Sequence, residues 1–272
     1  MTKREKIERK FAQLQKEGEA ILRPGINEWF DRMRKAVYRG LNAFQKAQAD
    51  DIVLNLAAWD ELSSETKTAI KPLVVDIMAK GGEQAIIAAG FNVSFDVLNA
   101  RAIRVAEQIA AKMVREVSDE TQKAIRHLVT EGLKAGKSMP VLGREIRPLV
   151  GLTEKQVMSV ANYEERLLVS RPELSANRVK SMVTTYEKRL HRKRAEMIAR
   201  TETANAVSEG SLLGYEQVGL DEVEFSHSPN PCLICQPLEG KVYKLSEAHG
   251  VIAVHPNCTH CWIPVEQKKP RE

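Results

Sequence analysis

The sequence predicts a mainly α protein: an elongated helical N-terminal region, then one long helix, then a small C-terminal α+β module built around cysteines. Three observations carry this prediction. Apolar residues recur three or four apart from Thr2 to about Leu212. After Gly219 the texture changes to short apolar runs broken by Pro, Gly and Asn. The cysteines, Cys232, Cys235, Cys258 and Cys261, all lie beyond that change.

From Thr2 to about Gly136 the chain reads as successive helices, with stripes such as Ile7, Phe11 and Leu14, or Ile103, Ala106, Ile109, Ala110 and Met113. Arg23-Pro24-Gly25 and Gly81-Gly82 read as breaks between them. Ser94 and Ser118 are candidate N-caps, because a hydroxyl can accept an orphan amide proton at a helix start. Ser138-Met139-Pro140 opens a short helix that Pro148 and Gly151 close. Thr153 caps a helix through Gln156, Val160, Tyr163 and Leu167, which Arg171-Pro172 ends. Ser175 caps the longest periodic stretch, through Val179, Val183, Tyr186, Leu190 and Ile198 towards Leu212. Val223–Phe225 and Val251–Val254 read as short strands, and the tail from Glu266 to Glu272 has no apolar pattern. This texture divides the chain into a helical region, 1–136, and a second region, 137–272, with the cysteine module at 221–265.

Composition narrows the function classes. Of 272 residues, 43% are hydrophobic and 28% charged, which is a globular composition and excludes wholesale disorder. A net charge of +5 and a pI near 8.9 fall short of a dedicated nucleic-acid binder. No run approaches the roughly 18 apolar residues of a membrane span, so no membrane association is expected. The basic start lacks the apolar segment of a secretory signal, which points to synthesis in a reducing compartment.

Cys232-Leu233-Ile234-Cys235 and Cys258-Thr259-His260-Cys261 are two C-x-x-C pairs joined by a Gly-containing segment. Tetrahedral zinc needs four converging soft or borderline donors, and each C-x-x-C turn aims two thiolates at one centre. Cys232, Cys235, Cys258 and Cys261 are therefore the candidate metal ligands of a zinc-knuckle module. His255 and His260 flank the second pair and are alternative ligands, since an imidazole nitrogen is an equally acceptable donor. A redox pair, disulfides and four buried thiols are the competing readings. Four protein ligands leave the metal no open position, so the expected role is structural. No catalytic residues are singled out: there is no Gly-rich phosphate loop and no open metal site by ligand count.

Four segments in order then carry a family resemblance: Ile198-Ala199-Arg200-Thr201-Glu202-Thr203, Cys232-Leu233-Ile234-Cys235, Leu238-Glu239-Gly240-Lys241-Val242-Tyr243, and His255-Pro256-Asn257-Cys258. Their order and spacing resemble the signature of the phage Mu F-like head-morphogenesis family of minor head proteins. The resemblance covers about Ser175 to Val265, with a looser similarity over Gly151 to Leu167. It departs from the family pattern at Thr259, where Arg is common, and at His227-Ser228-Pro229-Asn230-Pro231, which lacks an acidic residue often found there. The resemblance implies a low-copy structural protein of a tailed-phage or prophage head. Its place would be the portal vertex or capsid interior of the virion, with host cytoplasm as the site of assembly. The implied partners are the portal protein and other capsid or scaffold proteins, and the implied roles are head assembly and genome packaging or exit. It also marks Arg200, Thr201 and Glu202 as a structural motif, expected to tie the long helix to the cysteine module.

The run Lys188, Arg189, Arg192, Lys193 and Arg194 is a basic patch on the long helix, and packaged double-stranded DNA is the partner it would fit. Two alternative functions are weighed against the structural one. A zinc-ribbon nucleic-acid binder would want a more basic knuckle than the surroundings of Cys232 to Cys261 supply. A phage-delivered effector enzyme would want a further domain after the cysteine module.

Overall fold

A computed structural model describes residues 1–43, 56–228 and 231–265. The protein is mainly α, with a long sixth helix and a small C-terminal sheet. The helices are α1 (Lys3–Ala43), α2 (Leu56–Ala88), α3 (Ala100–Lys134), α4 (Met139–Ile146), α5 (Glu154–Ser170), α6 (Ala176–Gln217) and the single turn α7 (Leu245–Ala248). The strands are β1 (Glu222–Phe225), β2 (Val242–Lys244) and β3 (Trp262–Pro264). Among the described residues no helix is long and apolar enough to cross a membrane. The tail from Glu266 to Glu272 lies outside the described residues, as do Pro229 and Asn230.

The chain forms two compact units. One takes Met1–Gly25, Lys67–Lys112 and Glu196–Glu272; the other takes Ile26–Thr66 and Met113–Ala195. Each draws on both sides of the 136/137 division that the sequence texture marks.

In the second unit, α5 packs on the first half of α6 through Val157, Val160 and Leu167 against Val179 and Val183, with Ala124 of α3 completing the cluster. The caps read at Thr153 and Ser175 are present. Thr153 Oγ1 accepts from Gln156 N at 3.3 Å while Gln156 Oε1 accepts from Thr153 N at 3.1 Å, a reciprocal capping box. Ser175 Oγ accepts from Arg178 N at 3.3 Å. His191 is buried under Phe30 with its Nε2 2.7 Å from Pro148 O, and burial pulls its pKa down to about 4, so it is neutral at neutral pH.

The first unit contains the departures from the expected helix breaks. Gly81-Gly82 lies inside α2, and Pro24-Gly25 lies inside α1. The glycines mark a close helix approach instead. A Cβ on Gly81 would lie 2.6 Å from Val207 O, and one on Gly214 would lie 2.5 Å from Gly82 O. A Cβ on Gly210 would overlap the Met78 carbonyl oxygen. Backbone thus meets backbone where α2 crosses α6, and tertiary packing outweighs the poor intrinsic helix propensity of glycine. Around Pro24 the buried Leu22 and Ile26 keep α1 helical despite the missing N–H. Ser118 is interior to α3, and Ser94 caps nothing, because α3 starts later and Asn99 Oδ1 accepts from Arg101 N and Ala102 N.

The sheet has the order β2-β1-β3, antiparallel throughout, with Val223 opposite Tyr243 and Phe225 opposite Trp262. Val251–Val254, expected as a strand, is irregular; its backbone is used by α6 side chains rather than by a ladder. Trp262 anchors the sheet on α6. Its Nε1 donates to Ser208 Oγ at 2.9 Å, its carbonyl accepts from Tyr215 Oη at 3.1 Å, and its ring meets Phe225 and Tyr243 edge-on.

Candidate metal centre

Two turns build the site. In the first, Cys232 O accepts from Cys235 N at 3.1 Å and from Gln236 N at 2.9 Å, which curls the chain so that both side chains emerge on one side. Cys235 N also points at Cys232 Sγ, 3.4 Å away. In the second, Cys258 N donates to His255 O at 3.1 Å across Pro256 and Asn257. Asn257 has φ +66°, the left-handed conformation that Asn tolerates better than other side chains, so Pro-Asn is the natural filling of this turn.

The turns bring thiols and imidazoles together. His255 Nε2 lies 3.1 Å from Cys232 Sγ and 3.0 Å from Cys235 Sγ. The donor atoms of Cys232, Cys235 and His255 all lie within 4.8 Å of one another, and so do those of Cys235, Cys258 and His260. That spread matches two bonds of about 2.0–2.3 Å meeting at one ion. Cys235 belongs to both groups. His255 Nδ1 sits 2.8 Å from Pro256 O, which assigns the proton to Nδ1 and leaves the Nε2 lone pair facing the sulfurs. The cluster of Cys232, Cys235, Cys258 and His255 or His260 can hold a metal ion, and its donor set is the soft and borderline one that such an ion needs.

Electrostatics differ along the cluster. Backbone N–H groups of Cys235 and Ile234 pull the exposed Cys232 thiol down, whereas burial pushes Cys235 up, helped by the neighbouring Cys258. Burial would also raise Cys258, but hydrogen bonds from His260 and from backbone donors bring it to about 7. His260 is buried, with Nδ1 3.5 Å from Cys258 Sγ and Nε2 3.0 Å from Glu239 Oε1, and its ring lies 4.7 Å from that of Phe225. Glu239 thereby stands behind His260 as His260 stands behind Cys258.

Cys261 is placed differently from its sequence partners. It belongs to neither group of converging donors among the described residues. It directly precedes β3, its N–H donates to Ser226 Oγ at 2.9 Å, and burial pushes its thiol up to about 12. Its backbone pairs with Ser226, just after β1, through Ser226 N to Cys261 O at 3.0 Å as well, whereas Cys258 joins Cys235 and His260 in a converging group.

The helix motif meets the second knuckle directly. Arg200 donates to both carboxylate oxygens of Glu19, at 3.1 and 3.4 Å, and to Asn257 Oδ1 at 3.1 Å. Thr201 Oγ1 accepts from Asn257 N at 3.2 Å. Glu202 accepts from Asn205, whose Oδ1 in turn accepts from Ala253 N at 2.6 Å. One face of α6 therefore holds the segment from Ala253 to Asn257 by its backbone.

Sequence reading missed four contributors: Arg4, Gln15 and Glu19 of α1, and His249. No local motif could have flagged the first three, since they act across 181 to 245 residues. His249 lies between two carboxylates of α6, with Nδ1 2.7 Å from Glu209 and Nε2 3.3 Å from Glu216, and Arg101 of α3 bridges Glu216 and the ring. The Glu209 hydrogen bond raises its pKa, with Glu216 adding to the shift. Because the folded pKa lies above the unfolded value of about 6.5, this contribution is complete below about pH 6.5 and is lost as pH rises through the folded pKa. Denaturant titrations across that range should show it, and His249→Gln should flatten the slope; an unchanged slope would refute the assignment.

The basic run divides. Lys188, Arg189, Arg192 and Lys193 are exposed on α6, and Arg189 lies over the Tyr186 ring. Arg194 does not belong with them: it is buried, it pairs with Glu120 at 2.8 Å, and burial lowers its pKa to about 10. Helical periodicity places residue 194 with His191 and Ala195 on the packed side, which corrects its expected DNA contact.

The chain matches no family model, no curated protein and no solved structure against which it was compared.

Proposed function

We propose that this chain is a structural minor head protein of a tailed phage or prophage, acting in head assembly at the portal vertex, with one structural zinc ion folding its cysteine module. One observation carries the reading. The motif segments that resemble the Mu F-like family, far apart in sequence, form one hydrogen-bonded unit in which Asn257 of the second knuckle is held by Arg200 and Thr201 of the helix motif. Cys232, Cys235, Cys258 and His255 would hold the ion, and His260 with Glu239 would orient Cys258. The ion would supply crosslinking free energy to a sheet of three- and four-residue strands that is too small to order two knuckles alone. A shell of four protein donors leaves no position for a reacting water, so the role is structural rather than enzymatic. Proteomics of gradient-purified particles tests the function: peptides of this chain should stay with heads at low copy relative to the major capsid protein after a salt wash. Their absence from both procapsids and finished heads would overturn it.

Packaged duplex DNA is proposed as an additional partner through Lys188, Arg189, Arg192 and Lys193. Four phosphate contacts set an upper slope of about −3.6 for log K against log salt, because each neutralised phosphate contributes about −0.9. Lys188→Glu with Arg192→Glu should weaken binding and reduce the slope by about 2, whereas a salt-independent affinity would remove DNA from the partner set.

A further inference from the structure

The first helix touches the metal module at places that bracket both knuckles. Arg4 Nη1 pairs with Glu224 of β1 at 2.8 Å, and its Nη2 lies 2.6 Å from His227 Nδ1, shortly before Cys232. Glu8 accepts from His227 N at 3.4 Å and also pairs with Arg4. Gln15, itself buried, donates to the carbonyl of His260, which lies between Cys258 and Cys261. These positions, with the buried Phe11, fall at intervals of three or four and make one face of α1. Beyond them the helix rests on α6 instead: a Cβ on Gly18 would overlap the Thr203 methyl group, and Glu19 is clamped by Arg200.

We infer that the first turns of α1, Lys3 to Gln15, are a metal-dependent latch, docked when the Cys/His cluster holds its ion and released when it does not, with the contact at Gly18 as the anchor. The inference rests on the metal reading above. The module groups that the latch meets, Glu224, His227 and the His260 carbonyl, lie in the cysteine module that the ion would order, while the anchor's partners Thr203 and Arg200 lie on α6. Linkage makes the effect reciprocal: whatever free energy the ion lends to docking, docking returns to ion affinity.

Hydrogen exchange on the full chain tests this, with zinc content measured by native mass spectrometry on the same samples. Removing zinc with a chelator should speed exchange of amides 7–15 at least about 10-fold, leaving residues 19–25 and α5 unchanged. Arg4→Ala with Gln15→Ala should weaken zinc affinity by a factor within the roughly 5- to 150-fold range of such couplings, while Arg9→Ala, on the exposed side of α1, should not. Equal exchange at 7–15 in the zinc-loaded and zinc-free chains would overturn the latch and leave the metal reading standing. A chain that takes up no zinc would overturn both.

Discussion

A Cys235→Ser chain should purify without zinc and with its C-terminal module open to protease, whereas Cys261→Ser should retain one ion per chain. Cys235 is the donor shared by both converging groups and is fully buried, so its loss removes the centre of the site. Serine keeps the shape but is a far poorer ligand, and metal free energy in such modules is folding free energy. Cys261 is buried but belongs to neither converging group among the described residues, so its replacement should cost stability without changing metal content. His260→Ala provides the graded case: a residue that orients a ligand typically changes affinity about 10- to 100-fold. Native mass spectrometry of the three variants decides the ligand set. Zinc lost in Cys261→Ser would restore the four-cysteine arrangement expected from the spacing, whereas zinc retained in Cys235→Ser would remove Cys235 from the ligand set and overturn the shared-donor site.

Gly210→Ala should produce the other large effect. The added methyl group meets the Met78 carbonyl, which is part of the α2 backbone and cannot rotate away, so the two helices must separate. Alanine gains about 1 kcal/mol in helix propensity, and overpacking costs typically 1–3 kcal/mol, more where backbone must move. At the upper end of that range the net loss is about 2 kcal/mol, which would lower the melting temperature by roughly 4–8 °C at this chain length. Gly214→Ala should behave similarly, because Gly82 O stands 2.5 Å from the new atom. The control is Gly136→Ala, where nothing lies within 4 Å and only the positive φ of +71° opposes the change. Thermal melts that rank Gly210→Ala no worse than Gly136→Ala would show that the crossing is not close-packed.

The helical class, the caps at Thr153 and Ser175, the long α6 and the position of the cysteine module were legible in the chain because each depends on neighbours within a few residues. Capping needs a hydroxyl three positions before an amide, and a C-x-x-C or Pro-Asn turn is complete in four residues. The Gly81-Gly82 reading failed because a glycine that breaks a helix and a glycine that makes room for a neighbour look alike in one dimension; only Val207 against Gly81 and the Phe95 ring against Gly82 distinguish them. Arg194 and Arg192 likewise differ only in which side of α6 faces packed neighbours. The departure at Cys261 has the same origin. Spacing allows two thiols to converge, but the pairing that continues from β3 to Ser226 fixes the backbone at Cys261, and its thiol joins neither converging group among the described residues. Local chemistry was thus set by sequence alone. The choice among donors, and the joining of α1 to the module through Arg4, Gln15 and Glu19, was decided by tertiary contacts between residues too distant in the chain for any local pattern to record.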